Sequence, residues 1–230
     1  MREAHLQWCI KHGCNTVLLC LNNEECMSLF RNGYMKTWDM AKVNMTLNYI
    51  KRIKSLGGLV AIALYDGPAI PGAKYHPIID CPDEMHAQFI QIVCQALNPY
   101  VDLWVLGCET NRYWSIDKVE TAIGFIKQCS PFRFVGTHEQ NVGKRNGKWK
   151  LLRRVPINAD FHCYETSNHP DQGDSRSVAD MEAEVKFLCS TTNIPVWVGE
   201  HNLNQWGAKG RAQSRAFAKI NGVYGTPGPT

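Results

Sequence analysis

The sequence predicts an α/β protein with a parallel sheet covered by helices, and three observations carry that reading. Short apolar runs alternate with segments of helical spacing along the chain. The runs are nearly continuous in apolar residues, as strands buried on both faces should be. Acids, histidines and aromatics gather just after run after run. Parallel neighbours need crossover connections, which are right-handed. No run is followed by a G-x-G-x-x-G or G-x-x-x-x-G-K loop, which speaks against an open nucleotide-binding sheet. Polar strand ends instead favour a closed barrel, where one face collects them all. The expectation is a single (β/α)8 TIM-like barrel domain over residues 1–230, with its first strand missing or truncated.

The opening residues already read as a helix, because Leu6, Cys9 and Ile10 make an apolar stripe. The strand expectations are NTVLLCLN from Asn15, GLVAIALYD from Gly58, VDLWVLGCE from Val101, FRFVGTHE from Phe132, ADFHCYE from Ala159 and IPVWVGE from Ile194. A seventh is GVYGTPG near the C-terminus. Helical spacing runs over Met40 to Leu56, Asp83 to Leu97, Ile116 to Cys129, Val178 to Cys189 and Gly210 to Ile220. Asp83 and Ser177 supply helix starts with acids in the first turn. In the fifth connection, GKRNGKWKLLRR carries Asn146-Gly147 between two short arms, which predicts a β-hairpin in place of a helix.

Composition narrows the function. A chain of 230 residues, 44% hydrophobic and 20% charged, buries a full core as one domain. Its net charge of +4 is modest, and its basic residues are scattered outside the hairpin; no nucleic-acid partner is expected. No apolar run approaches a membrane span, and MREAHLQWCIKHGCN has charges where a signal peptide has its apolar stretch. The expectation is a cytoplasmic protein, or one released by a non-classical route such as a virus particle. Of ten cysteines, Cys20, Cys94, Cys129, Cys163 and Cys189 lie in hydrophobic periodic segments and read as reduced core residues. There is no C-x-x-C pair and no H-E-x-x-H motif, so neither a metal nor another cofactor is expected.

Two glutamates close strands of the same kind, Glu109 in VDLWVLGCETNRYW and Glu200 in NIPVWVGEHNLNQW. A carboxylate pair on two strand ends is the working equipment of glycoside hydrolysis. One group protonates the leaving oxygen, and the other attacks the sugar or activates water. The polar neighbours are His138 and Glu139 in GTHEQN, and His201 and Asn202 after Glu200. Aromatic rings that stack on a sugar face are also available: Trp114 follows Glu109, Trp206 follows Glu200, and Tyr65 ends its strand. Trp104 and Trp197, inside strands, read as core.

The order KHGCNTVLLCL, GLVAIALYD, LWVLGCETN, FHCYE, PVWVGEHN resembles the clan A glycoside hydrolases over most of the chain. PVWVGE looks like that clan's seventh strand and His162-x-Tyr164 like its sixth, which makes NTVLLCL the second. The resemblance implies that Glu109 is the acid/base, that Glu200 is the nucleophile, and that the Tyr164 hydroxyl hydrogen-bonds the nucleophile. It implies a retaining hydrolase of a β-linked oligo- or polysaccharide. Three positions depart from the clan. Cys108 stands where the clan has the Asn that holds the sugar 2-hydroxyl, Leu18 replaces an Arg, and Tyr65 or Asp66 replaces a His. These departures support the alternative of a catalytically degenerate barrel that binds carbohydrate or serves a structural role.

Overall fold

The computed structural model describes residues 3–11, 15–21, 40–65, 83–110, 113–139, 141–166, 177–201, 219–220 and 223–225. They belong to two compact units, Met1–Gly136 and Thr137–Thr230. In the first unit the elements are α1 (Glu3–Lys11), β1 (Thr16–Cys20), α2 (Met40–Ser55), β2 (Leu59–Tyr65), α3 (Asp83–Leu97), β3 (Leu103–Cys108) and α4 (Ile116–Cys129). The strand β4 (Phe134–Glu139) begins there and continues into the second unit. The second unit goes on with β5 (Val142–Arg145), β6 (Lys148–Leu151), β7 (Phe161–Thr166), α5 (Val178–Thr192), β8 (Val196–His201) and β9 (Val223–Gly225). The last of these is the strand expected in GVYGTPG. The helix expected over Gly210 to Ile220 lies outside the described residues, apart from its final two.

In the first unit β1, β2 and β3 are successive parallel neighbours, with Leu18 level with Ala61 and Ala63 level with Val105. From Val60 to Tyr65 every residue of β2 is buried, because a central parallel strand is covered on both faces. The helices bury one stripe each. On α3 the stripe is Phe89, Ile90, Val93, Cys94 and Leu97; on α4 it is Val119, Ala122, Ile123 and Ile126. These spacings keep the apolar side chains on one side of a 3.6-residue helix.

The joints follow from local chemistry. Helix α2 ends in a Schellman motif, with Gly57 N–H donating to Lys54 and Gly58 N–H to Ile53. Gly57 takes the left-handed position at φ 81°. Gly58 is needed for space, since a Cβ there would stand 2.8 Å from Ile53 Cγ2. Ser115 caps α4 by accepting from Lys118 N–H at 3.3 Å. Before β3, the Asp102 carboxylate accepts from Val60 N–H at 2.8 Å and from Lys54 Nζ at 2.7 Å, fixing the start of β2.

In the second unit β7, β8 and β9 run parallel, Cys163 level with Trp197 and Trp197 level with Tyr224. Ser177 caps α5 by accepting from Asp180 N–H at 3.1 Å, as its sequence position predicts. Met181, Val185 and Leu188 of α5 pack on Tyr164, Val196 and Val198. The basic stretch is the expected hairpin: β5 and β6 pair antiparallel, and Asn146 (φ 50°) and Gly147 (φ 73°) form its two-residue turn. Both positive dihedrals match the twist of a type I′ connection. Trp149 and Leu151 rest against the α5 cluster.

The cysteine expectation needs one correction. Cys94 and Cys163 are buried and not in disulfides, and burial pushes Cys94 up to about 12. Burial also raises the partly buried Cys129 and Cys189. Cys20, in contrast, is exposed. It is the last residue of β1, where the strand opens to solvent.

Candidate active site

Glu109 follows β3 directly and is only 6% exposed. Its backbone lies in the left-handed region at φ 53°, unusual for a residue with a Cβ. The preceding turn of the strand explains how it is held. Gly107 lies level with Tyr65, and a Cβ at Gly107 would come within 2.7 Å of Tyr65 Cβ and 2.8 Å of Tyr65 O. Only glycine lets β3 run this close to β2. Beyond Glu109 the chain turns at once, the N–H groups of Tyr113 and Trp114 donating to Thr110 O at 3.0 and 2.9 Å. Strand end, tight approach and turn together fix the carboxylate's position.

That turn folds Trp114 back onto the protein. The indole is 3% exposed and meets Tyr65 and His86 edge-on, at ring-centre distances of 5.2 and 4.7 Å. The Lys118 ammonium sits 4.7 Å over it. Tyr65 is fully buried, and its hydroxyl shares a 2.9 Å hydrogen bond with His86 Nδ1. Both rings expected to stack on a ligand are therefore packed against α3. A cavity of about 320 Å³ opens beside them, lined by Glu84, His86, Trp114, Lys118 and Phe125 among others. His86 had no signal in its own sequence context. It joins this cluster because the first turn of α3 lies beside the end of β2.

In the second unit His138 and Glu139, the last two residues of β4, are 2% and 0% exposed. Asn141 donates to Glu139 Oε2 at 3.2 Å. His162 is fully buried, with Nδ1 2.8 Å from Thr137 Oγ1. Desolvation holds both imidazoles neutral: it lowers His138 to about 4, and it lowers His162, which also feels the nearby His138, to about 3.

Tyr164 has a partner that its own strand does not reveal. Its hydroxyl donates to Glu184 on α5, and the ring packs among residues of that helix. The side chain of Glu200, its expected partner, lies outside the described residues. His162 lies two residues earlier on the same strand, and alternation puts it on the same face as Tyr164. Glu184 was missed although the sequence held a clue. It falls on the α5 stripe with Met181, Val185 and Leu188, an acid on an apolar face, and it is fully buried.

Glu200 and His201 are the final two residues of β8, so the backbone sets Glu200 at a strand's C-terminal end as the sequence predicts. Their side chains, together with Asn202 and Trp206, lie outside the described residues. Trp104 is fully buried, and Trp197 is partly buried, its ring centre 6.3 Å from that of Phe161. Among the described residues no three His, Cys, Asp or Glu side chains gather as a metal would require. No helix among them is long and apolar enough to cross a membrane.

No protein-family model matches the sequence, and no curated protein matches it. Solved structures do. An exo-β-1,4-mannosidase from Opitutaceae bacterium strain TAV5 superposes with a TM-score of 0.69 at 13% identity, over 96% of this chain and 47% of that one. A family 1 β-glucosidase from Thermotoga maritima gives 0.67 at 8%, over 97% and 75%. An endo-1,4-β-mannanase from Rhizomucor miehei gives 0.62 at 12%, over 98% and 82%. The chain has the fold of the clan A glycoside hydrolases. Identities this low speak to fold alone. The chain also spans less than half the length of the mannosidase it resembles.

Proposed function

We propose that this chain is a glycoside hydrolase barrel cleaving a β-linked oligo- or polysaccharide with retention, β1 standing in the place of the second barrel strand. The observation that supports this best is Glu109. It is a buried acid just past the C-terminal end of a parallel strand, and its backbone is held left-handed. Strained backbone of this kind collects at functional sites. In barrels of this fold, reacting groups sit at that end of the strands. Glu109 serves as the acid/base, protonating the leaving oxygen and then activating water. Glu200 serves as the nucleophile that carries the glycosyl intermediate. His138, His201, Asn202 and Trp206 are the groups we assign to holding substrate. No metal or other cofactor enters the reaction.

The test is digestion of a panel of β-linked glucans, mannans and related oligosaccharides by wild type, Glu109→Gln and Glu200→Gln. Each substitution is expected to lower turnover by about 10²- to 10⁴-fold or more. The first-formed product should keep the β configuration by NMR. Inverted product, or full activity in either mutant, would overturn the assignment. A second reading, carbohydrate binding without cleavage, is favoured by Cys108 at the position of the sugar-holding Asn, since a thiol is a weak hydrogen-bond partner. It predicts equal oligosaccharide binding by all three proteins and no product from any.

A further inference from the structure

The side chain that departs most from the clan's pattern has a partner. Cys108 Sγ, on the last residue of β3, stands 3.6 Å from Cys20 Sγ on the last residue of β1. The sulfurs are in van der Waals contact, and neither cysteine is in a disulfide. Their exposure differs: Cys20 is exposed and Cys108 half-buried. The contact is drawn from 88 residues away in sequence. It joins two strands that do not neighbour each other, since β2 pairs with both.

We infer that Cys20 and Cys108 form a redox-active dithiol site, oxidised by low-molecular-weight disulfides, whose closure displaces Glu109. The difference in exposure assigns the steps. The accessible Cys20 thiolate attacks one sulfur of oxidised glutathione and releases the first glutathione thiol. Cys108 then attacks Cys20 Sγ, forming the intramolecular disulfide and releasing the second glutathione. The protein gives up two electrons and two protons, and one glutathione disulfide becomes two thiols. Cys108 is the resolving residue because it already touches the sulfur it must attack.

The strand arrangement couples this chemistry to position. Strand β2 lies between β1 and β3, and Cys20 is level with Val105, three residues before Cys108. A disulfide seldom spans Cα atoms more than about 6.8 Å apart. Closing the bond brings the sulfurs from 3.6 Å to roughly 2 Å and draws the two strand ends together. The residue after Cys108 is Glu109, held in the left-handed region at φ 53°, so the shift reaches it directly. A bond formed against such resistance is readily reduced, which makes it reversible. Loss of activity on oxidation rests on the reading of Glu109 as acid/base; the cross-link itself does not.

The experiment exposes the reduced protein to oxidised glutathione, blocks residual thiols by alkylation and maps the peptides by mass spectrometry. The expected product joins Cys20 to Cys108, is removed by dithiothreitol, and is absent from Cys20→Ser, where Cys108 stays free or carries glutathione. Hydrogen exchange at residues 108–114 should quicken in the oxidised form and return on reduction. Pairing of Cys20 with another cysteine, or mixed glutathione adducts at both positions without a cross-link, would overturn the site. An unchanged exchange pattern in cross-linked protein would overturn the coupling to Glu109. If the reduced enzyme cleaves no glycoside but the cross-link forms, the proposed function fails and the dithiol site stands.

Discussion

Acidification should destabilise the protein through two residues, His138 and His162. Both are neutral in the fold, lowered by desolvation to about 4 and about 3 from an ordinary 6.5. In the unfolded chain each protonates near its ordinary value. Below pH 6.5 the unfolded state therefore binds more protons than the folded one, and stability falls with falling pH. The loss starts near pH 6.5 and continues until the folded imidazoles themselves protonate, near pH 4 to 3. At pH 5 an unfolded imidazole is almost fully charged while its buried counterpart is not, which costs about 2 kcal/mol per residue and about 4 kcal/mol for the pair. That is a large part of the 5 to 15 kcal/mol typical of a domain. The assay is urea denaturation at half-unit steps from pH 7.5 to 5, followed by fluorescence. His138→Gln and His162→Gln should each remove about half of the slope, whatever they do to stability at pH 7.5. A midpoint that stays level from pH 7 to 5, or a slope unaltered in both variants, would refute desolvation as the cause.

Three further outcomes follow from packing and backbone geometry. Gly107→Ala puts a methyl 2.7 Å from Tyr65 Cβ; it should cost about 1 to 3 kcal/mol in urea denaturation and alter the circular dichroism of the Tyr65 and Trp114 rings. Gly147→Ala places an L-residue at φ 73° in the hairpin turn, costing about 1 to 2 kcal/mol and showing as faster hydrogen exchange confined to β5 and β6. Tyr164→Phe removes the donor to buried Glu184 and should cost about 1.5 to 3 kcal/mol, with Tyr164→Phe/Glu184→Gln recovering part of the loss in thermal melts.

The described elements fall where periodicity puts them because each obeys a local rule. Val60 to Tyr65 is an unbroken apolar run, and it is the fully buried part of β2. Asn146-Gly147 is a pair that accepts positive dihedrals, and it is the hairpin turn. Ser177 stands one residue before a helical stripe, and it caps α5. Facing is different, because it depends on what packs against a strand. Trp114 and Tyr65 read from sequence as rings open to a ligand, yet the turn after Glu109 and the first turn of α3 bury both. Nothing in the segment around Tyr164 points to α5, yet its hydroxyl donates to Glu184 there. Cys20 reads as core but lies exposed beside Cys108.

By itself the sequence determined the alternation of strands and helices and the placing of Glu109 and Glu200 at strand ends. Hydrophobic period and turn chemistry are properties of neighbouring residues and need no knowledge of the rest of the chain. The tertiary structure decided which side chains meet: Tyr65 with His86, Tyr164 with Glu184, and Cys20 with Cys108. Each of these contacts joins separate elements, through register, helix docking or the curvature of a sheet. None of those is encoded within the reach of a single segment.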